Sequence, residues 1–556
     1  MFQHKFFATL EDNKLIMATI LGILTVKGME DMFMGMLRTC SNIKRLKKIH
    51  AQLTKFSLSQ SNFLLSKMVD ICDQFHEIKY ASLLFGQVAE PNNYLYNAMI
   101  RAYTHKNMFD FTINVYKKML RGTYEECVFP DSYTYPYVIR SCGGLLCVVL
   151  GKQVHCQVCK FGLKSNSVIE NSLLDMYVKC DKLDEACKLF EEMSERDAIS
   201  WNSLISGHMK MRKVRKARAL FDEMPDKSIV SWTGMISGYS KIGSFGDALD
   251  VFRRMQMVGV QPDWISLVAV LPACAHLGAL ELGRWIHFYA EKKGFLRRTC
   301  VCNALIEMYS KCGSVDEALQ LFSKMIDRDV ISCSTMIAGL ANHGRAREAI
   351  DLFEAMQREN VEPNEITFVG LLSACGHAGL LDEGMMYFDL MRFHHNISPG
   401  IQHYGCMVDL LGRTGKFDRA LQLIRSMPMK PDSAIWGSLL SCCRTFRNLD
   451  VAVVAMEHLV ELEPEDTGNF VLLANLYADL GKWDDVSQMR KFMRSKSLKK
   501  TPGCSLIELD RVVHEFLSGD NSKKFSQDLY EILELLVSHK SKTNDLTELM
   551  AEDILS

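Results

Sequence analysis

Along most of this chain, apolar residues recur at helical spacing, and the pattern is interrupted at regular intervals by Gly, Pro, Asn and Asp. The stretch IVSWTGMISGYSKIGSFGDALDVFRRMQMVGVQPD shows the rule. Its periodicity predicts a first helix over Ser231 to Lys241, a break at Gly243 and Ser244, and a second helix from Phe245 to Met257. Gly259 followed by Pro262 then supplies a helix stop. Gly238 and Ala248 are small enough to let the two helices approach closely.

This hairpin recurs. MYVKCDKLDEACKLFEEM at Met176 returns as MYSKCGSVDEALQLFSKM at Met308, and Cys142, Cys274 and Cys375 occupy matching positions in three further copies. The intervals resolve into units of 31 and 35 residues. On that grid units begin at Asn62, Asn93, Ser132, Ser167, Ala198, Ile229, Trp264, Thr299, Val330, Glu365 and Ile401. The unit at Asn93 carries extra residues around Gly122 to Cys127, and a partial unit runs from Met36 to about Ser61. One hairpin cannot bury its own apolar face, so stacked copies must share a continuous core. The expected fold is all-α, a right-handed superhelical solenoid of stacked helical hairpins.

Composition narrows the function. With 65 basic and 66 acidic residues the formal charge is −1, so no polybasic field exists to hold nucleic acid indiscriminately. Any such ligand must be met by a local groove. Nineteen cysteines in a chain of 556 residues sit mostly in apolar helical stretches such as LLSAC, which reads as buried reduced thiols and a reducing compartment. Leu15 to Val26 is an apolar run about half as long as a bilayer span needs. It follows Lys14 in the manner of a signal segment but lacks an obvious cleavage site, and Glu11 and Asp12 do not suit a transit peptide. No membrane partner is expected.

The units read V-x-S-W-N-x-[LM]-I-x-G-[YH], then D-E-A-x-x-L-F-x-x-M, then G-V-x-P-[DN]. This differs from the tetratricopeptide pattern of Trp, Leu-Gly and Tyr. It resembles the plant pentatricopeptide repeat family, and the alternation of 35- and 31-residue units resembles its PLS class. HYGCMVDLLGRTGKFDRALQLIRSMPMKPD resembles the closing S2 motif. SAIWGSLLSCCRTFRNLDVAVVAMEHLVELEPED and TGNFVLLANLYADLGKWDDVSQMRKFMRSKSLKK resemble the E1 and E2 motifs, and TPGCSLIELDRVVHEFLSGDNS the start of the E+ extension. The resemblance implies four regions. They are an N-terminal extension or presequence at 1–35, an array of P, L and S motifs at 36–432, E1 and E2 at 433–500, and a shortened E+ extension with an acidic tail at 501–556.

In that family the fifth and last residues of each unit face one RNA base. Carried onto this chain, the pairs are Ser66 with Asn92, Asn97 with Asp131, Asn171 with Asp197, Asn202 with Ser228, Thr233 with Asp263, Asn303 with Asp329, and Ser334 with Asn364. Gly405 with Asp432, in the S2 motif, is ambiguous. Pro136 with Asn166, Val268 with Arg298 and Val369 with Gly400 look like spacers, since Pro and Val offer no hydrogen bond. The implied target is A-U-x-U-C-G-x-U-A. The chemistry is consistent: an Asp carboxylate only accepts, which suits the ring N–H of uracil or guanine, whereas Asn and Ser can donate. The apolar second residues Val168, Ile199, Val230 and Ile331 suit wedging against base faces. Each Asn or Asp taken singly is equally well suited to capping a helix, Asp263 after Pro262 most plainly.

The resemblance further implies a mitochondrial C-to-U RNA editing factor, with the chloroplast as the alternative compartment. Its partners would be single-stranded organelle RNA, a DYW-type deaminase supplied in trans, and other editing-complex proteins. No catalytic site and no cofactor is expected. Cytidine deamination needs H-x-E and P-C-x-x-C around zinc, whereas beyond residue 500 the only cysteine is Cys504 and His514 is followed directly by Glu515. Cys156 and Cys159 beside His155 lack a second ligand pair at zinc spacing, and the segment around Lys152 lacks the phosphate-loop pattern. Two other readings stand beside this one: a transcript-stabilising, splicing or processing factor without editing, and a protein-binding helical scaffold.

Overall fold

The computed structural model describes residues 26–121, 128–495, 504–509, 512–517, 531, 532 and 535. The apolar run upstream of Val26, the insertion at 122–127 and the acidic C-terminal tail lie outside them. Among the described residues the fold is all-α apart from one hairpin of strands. It divides into two compact units, one ending at Gly238 and one beginning at Tyr239.

Both units are built by the same operation. A first helix of 10 to 14 residues is followed by a short turn and a second helix, and the next hairpin stacks on the first. Within the first unit, Asn62–Gln74 packs on Asn93–His105 and Tyr135–Gly144 on Ser167–Lys179; within the second, Val330–Asn342 packs on Glu365–Ala378. First helices begin at Asn62, Asn93, Ser167, Ala198, Ile229, Trp264, Thr299, Val330, Glu365 and Ile401, the residues at which the sequence grid places the units. The helix predicted from Ser231 to Lys241 spans Ile229–Ile242, and its partner spans Phe245–Met257 as expected.

Two places depart from the grid. The unit at Ser132 starts its helix only at Tyr135, because the Asp131 carboxylate accepts from the backbone N–H of Tyr133 at 2.9 Å and of Thr134 at 3.0 Å, winding those residues into a turn. The first hairpin is described from Val26 onward. Its helices are Val26–Arg38 and Ile43–Lys55, so the first crosses the position near Met36 at which the repeat becomes legible. Phe33, Met36 and Leu37 are buried.

In the first unit one hydrophobic cluster runs from Phe33 to Met224, and a stacking contact recurs from one hairpin to the next. Phe190 meets Trp201 edge-on at 4.8 Å and 79°, and one repeat later Phe221 meets Trp232 at 4.9 Å and 78°. Aromatic pairs of this geometry contribute about 0.5–1.5 kcal/mol beyond area burial. Gly238 lies against Met209, where an added Cβ would stand 2.8 Å from Met209 Cγ, and Ala248 is fully buried. Cys142, Cys274 and Cys375 are all fully buried, and burial pushes the Cys142 thiol up to about 12. All of the described cysteines are free thiols.

After the last hairpin, Thr467–Asp479 with Trp483–Ser495, come two antiparallel strands, β1 (Cys504–Leu509) and β2 (Val512–Leu517). Glu508 on β1 accepts from the backbone N–H of Glu281 at 2.9 Å and of Leu282 at 3.3 Å. It thus supplies an external cap to the helix Leu280–Lys292.

Candidate nucleic-acid interface

At many junctions the residue that closes one unit caps the first helix of the next with its side chain. Asp197 accepts from Ser200 N at 2.8 Å, Asp263 from Ser266 N at 2.8 Å, Asp329 from Ser332 N at 2.8 Å, Asn364 from Thr367 N at 3.0 Å and Asp432 from Ile435 N at 3.0 Å. Asn92 does the same to Leu95 N at 3.1 Å. The capping role set beside base recognition in the sequence is therefore real. It coexists with a second role, because the cap side chain reaches back to the fifth residue of its own unit.

Three pairs close directly. Asn97 Nδ2 donates to Asp131 Oδ1 at 3.0 Å and Oδ2 at 3.2 Å, Asn171 Nδ2 to Asp197 Oδ2 at 2.8 Å, and Asn303 Nδ2 to Asp329 Oδ1 at 3.3 Å. Ser334 reaches Asn364 through Thr367, whose hydroxyl lies 2.7 Å from Ser334 Oγ and donates to Asn364 Oδ1 at 3.0 Å. The remaining pairs differ. Ser66 Oγ donates to its own helix at Phe63 O, while the Asn92 backbone N–H is taken by Asn62 Oδ1. Ser228 Oγ lies 3.0 Å from Ser231 Oγ rather than turning to Asn202. Thr233 and Asp263 belong to different compact units. Gly405 has no side chain to offer Asp432.

Two of these carboxylates, Asp197 and Asp329, are held below their ordinary value. Burial pushes the Asp197 carboxyl up, but the Ser200 backbone N–H, the Asn171 amide and the Ser200 hydroxyl outweigh it and hold the group below its ordinary value. Asp329 is held low in the same way by Ser332 and Asn303 against burial. An ionised carboxylate also fixes the amide opposite, because only the NH₂ end of the Asn can face it. The other end of that amide distinguishes the units. Asn97 Oδ1 accepts from Thr134 Oγ1 at 2.6 Å, whereas Asn171 Oδ1 and Asn303 Oδ1 are shielded from solvent with no partner.

Beside the fifth residue, one helical step toward the N-terminus, stands the second residue of each unit. It is apolar and solvent-facing almost throughout: Phe63, Tyr94, Tyr133, Val168, Ile199, Val230, Ile265, Ile331 and Ile366 are all exposed, Tyr94 and Tyr133 by 78% and 74%. A column of exposed large side chains at one repeat position has no packing explanation. In the first unit, Ser66, Asn97 and Asp131 line one open cleft of about 420 Å³ together with Tyr94, Tyr133 and Arg101.

A further column escaped the sequence reading. The thirteenth residue of many units is basic and exposed: Lys179, Lys210, Lys241, Lys311 and Arg413, each in the last turn of a first helix. It follows the second residue by eleven positions, which at 3.6 residues per turn puts the two within about 20° of each other around the helix. The signal was present as a Lys or Arg at a constant offset from the unit start, hidden because the net charge is near zero.

Among the described residues no group of three or more His, Cys, Asp or Glu is gathered as a metal site would be, and no helix is long and apolar enough to cross a membrane. Cys156 and Cys159 are exposed on the helix Val148–Lys160, while His155 Nδ1 lies 2.9 Å from the Tyr177 hydroxyl.

Stacked helical hairpins, most of them presenting a fifth-position polar group and a capping partner beside an exposed second residue, define a modular helical-repeat protein. Segments 94–122, 171–197, 199–229, 300–330, 366–394 and 403–430 match the PPR repeat, segments 227–276 and 328–377 match the PPR repeat family, and 446–508 matches the E motif. A pentatricopeptide repeat-containing protein of Arabidopsis thaliana is 58% identical over 517 residues, 93% of this chain and 96% of that protein. A second from the same plant is 40% identical over 499 residues, covering 89% and 93%. A third, named as chloroplastic/mitochondrial, is 36% identical over 522 residues, covering 90% and 75%. The chain belongs to the pentatricopeptide repeat family and carries the E motif of its PLS class. The crystal structure of the pentatricopeptide repeat protein PPR10 from maize superposes with a TM-score of 0.49 at 15% identity, covering 85% of this chain and 79% of that one.

Proposed function

We propose that this chain binds one single-stranded organelle RNA by sequence and marks a cytidine in it for C-to-U editing, the deamination being done by a DYW-type deaminase recruited in trans. The observation that carries the reading is the coincidence, unit after unit, of a fifth-position polar side chain, its capping partner and an exposed apolar second residue. Helical-repeat RNA binders read one base per unit with two or three side chains, and that is the set the seven readable units present.

The geometry suggests how a base is held. The exposed second residues of successive units bracket one base face each. The edge of the base meets the fifth and last residues. In the Asn171–Asp197 and Asn303–Asp329 units an accept-only carboxylate and an orphaned amide oxygen favour a base carrying a ring N–H, which is uracil among the pyrimidines. An orphaned buried acceptor costs about 1–3 kcal/mol, and a base that supplies its donor recovers that cost. To the thirteenth-position cations we assign the phosphates of an extended strand.

The editing assignment rests on the E motif and on the hairpins over 433–495, which extend the chain beyond the last base-reading pair. They, with β1 and β2, are the surface we assign to the deaminase and other editing-complex proteins. The compartment we assign is the mitochondrion. The test is organelle transcriptome sequencing in a loss-of-function plant. We expect one cytidine, downstream of a match to A-U-x-U-C-G-x-U-A, to remain unconverted. Complementation with a chain lacking residues 433–556 should restore RNA binding without conversion. Loss of a transcript end or of splicing, with every cytidine still converted, would replace editing by a processing role.

A further inference from the structure

Among the described residues, the polar contact that spans the most chain is made by Glu508 on β1. Both oxygens of its carboxylate accept. The backbone N–H of Glu281 donates to Oε2 at 2.9 Å and that of Leu282 to Oε1 at 3.3 Å, across 227 and 226 residues. The units from Thr299 to Asp432 and both hairpins over 433–495 lie between the two ends of this contact. It therefore closes a loop on the array, within the compact unit that begins at Tyr239.

The helix end receives the carboxylate for local reasons. Gly278 is left-handed, and Ala279 stands at the N-cap of Leu280–Lys292, where its methyl group cannot cap. The first N–H groups of a helix have no partner inside it. That of Leu280 turns back to Gly278 O at 2.9 Å, and the next two go to Glu508. A negative charge is favoured at this end of a helix. The acidic residue already in that turn, Glu281, is held by Arg284 at 2.8 Å, and Arg284 also reaches Glu317 at 2.9 Å. Glu508 lies near the following unit as well: burial, and then this carboxylate, push the Cys312 thiol at the end of Thr299–Lys311 up to about 11. The helix Leu381–Phe393 opens on the same kind of turn, after left-handed Gly379, with Leu380 as an N-cap that makes no side-chain bond. No distant carboxylate reaches it among the described residues, so the clasp is particular to Leu280–Lys292.

The contact also orients the hairpin. A two-stranded hairpin is marginal by itself and needs something to pack on. Glu508 is the one residue of β1 that is not exposed. Successive strand residues point to opposite faces, so with Glu508 turned to the array, Ile507 and Leu509 look away from it, exposed by 47% and 53%. Phe516 shares their face, because it pairs with Ser505, and is exposed too. This outward face belongs to the surface we assign to the deaminase.

We propose that Glu508 is a positioning residue for editing: it clasps the β1–β2 hairpin to Leu280–Lys292 and so fixes where the deaminase stands over the bound strand. The inference rests on the editing role proposed above. Without the clasp the hairpin is tied to the array only through the chain that leaves Trp483–Ser495. A misplacement of about 1 Å costs a reaction about a hundredfold, whereas RNA affinity is set in the groove.

The experiment compares the full-length wild-type protein with Glu508→Ala and Glu508→Gln. Hydrogen exchange read by mass spectrometry follows the peptide that contains Glu281 and Leu282, with the peptide at the start of Leu381–Phe393 as the standard for an intact fold. Glu508→Ala should speed exchange at the first peptide by about fivefold, the contribution of one cap, and leave the second unchanged. Glu508→Gln, which keeps one acceptor, should do less. The Kd for the target RNA should not move. In complemented loss-of-function plants, Glu508→Ala should lower conversion of the target cytidine by about tenfold or more, with Glu508→Gln in between. Unchanged exchange at Glu281 and Leu282 overturns the clasp. Faster exchange with full conversion overturns the positioning role and leaves the editing role standing. Full conversion in plants lacking the chain altogether overturns the two together.

Discussion

Asn171 and Asp197 lie at opposite ends of one 31-residue unit and meet through a hydrogen bond of 2.8 Å, from the amide Nδ2 to Oδ2 of the carboxylate. The other carboxylate oxygen caps the next helix at Ser200 N. One side chain thus fixes both the junction between units and the polar face that a base would meet. Stacking and recognition are coupled in a single residue.

That coupling separates two substitutions at Asp197. Asp197→Ala removes the cap and should destabilise the protein by about 1 kcal/mol, read as a lower melting temperature, together with weaker RNA binding. Asp197→Asn retains an oxygen for the cap, so its melt should stay near wild type. The amide adds a donor that the carboxylate lacked, and the preference at that unit should move from uracil toward cytosine in a panel of RNAs varied at one position.

The exposed aromatic rings of the first unit make a second expectation. Tyr94 and Tyr133 bury little of themselves, so Tyr94→Ala and Tyr133→Ala should leave the melt unchanged. Base stacking on an aromatic ring is worth about 1–3 kcal/mol. Each variant should therefore raise the Kd for the target RNA by roughly fivefold to a hundredfold. An effect on the melt with none on Kd would assign the rings to packing instead.

The basic column predicts a salt signature. If Lys210 and Lys241 each meet one phosphate, replacing both by Ala should lower the slope of log K against log salt by about 0.7 per residue removed, with little change in base preference. The measurement is anisotropy titration across a range of salt concentrations. A lost base preference with an unchanged slope would contradict the phosphate assignment.

Protonation offers a stability test independent of RNA. His50, His155 and His287 each place Nδ1 within 2.8–2.9 Å of a tyrosine hydroxyl on a neighbouring helix, and burial holds all three below the ordinary histidine value. Burial also lowers His208 and His395. Between the lowered folded value and 6.5 the unfolded chain binds more protons, so stability is full above about pH 6.5 and falls as the pH drops below it. Thermal melts from pH 7.5 to pH 5 should show a declining midpoint, and His155→Gln with His287→Gln should flatten that decline.

The repeat was legible from residues alone. Helical spacing, recurrent turn residues and intervals of 31 and 35 placed ten first-helix starts at the residues where the helices begin. The reason is local: caps and stop signals are written within a few residues of the bonds they make. Sequence also supplied the fifth and last positions, through resemblance. It could not say which pairs would touch. Asn97, Asn171 and Asn303 reach their partners because the capping side chain turns back across 26 to 34 residues of chain, and Ser228 does not because Ser231 offers a nearer partner. Such choices depend on how one hairpin sits on the next. The C-terminal hairpin shows the same limit from the other side. Nothing in the residues around Glu508 points to Glu281 or Leu282, and only the tertiary structure brought its carboxylate to their backbone N–H groups, since a contact between distant residues is set by the stacked core and not by either residue's neighbours.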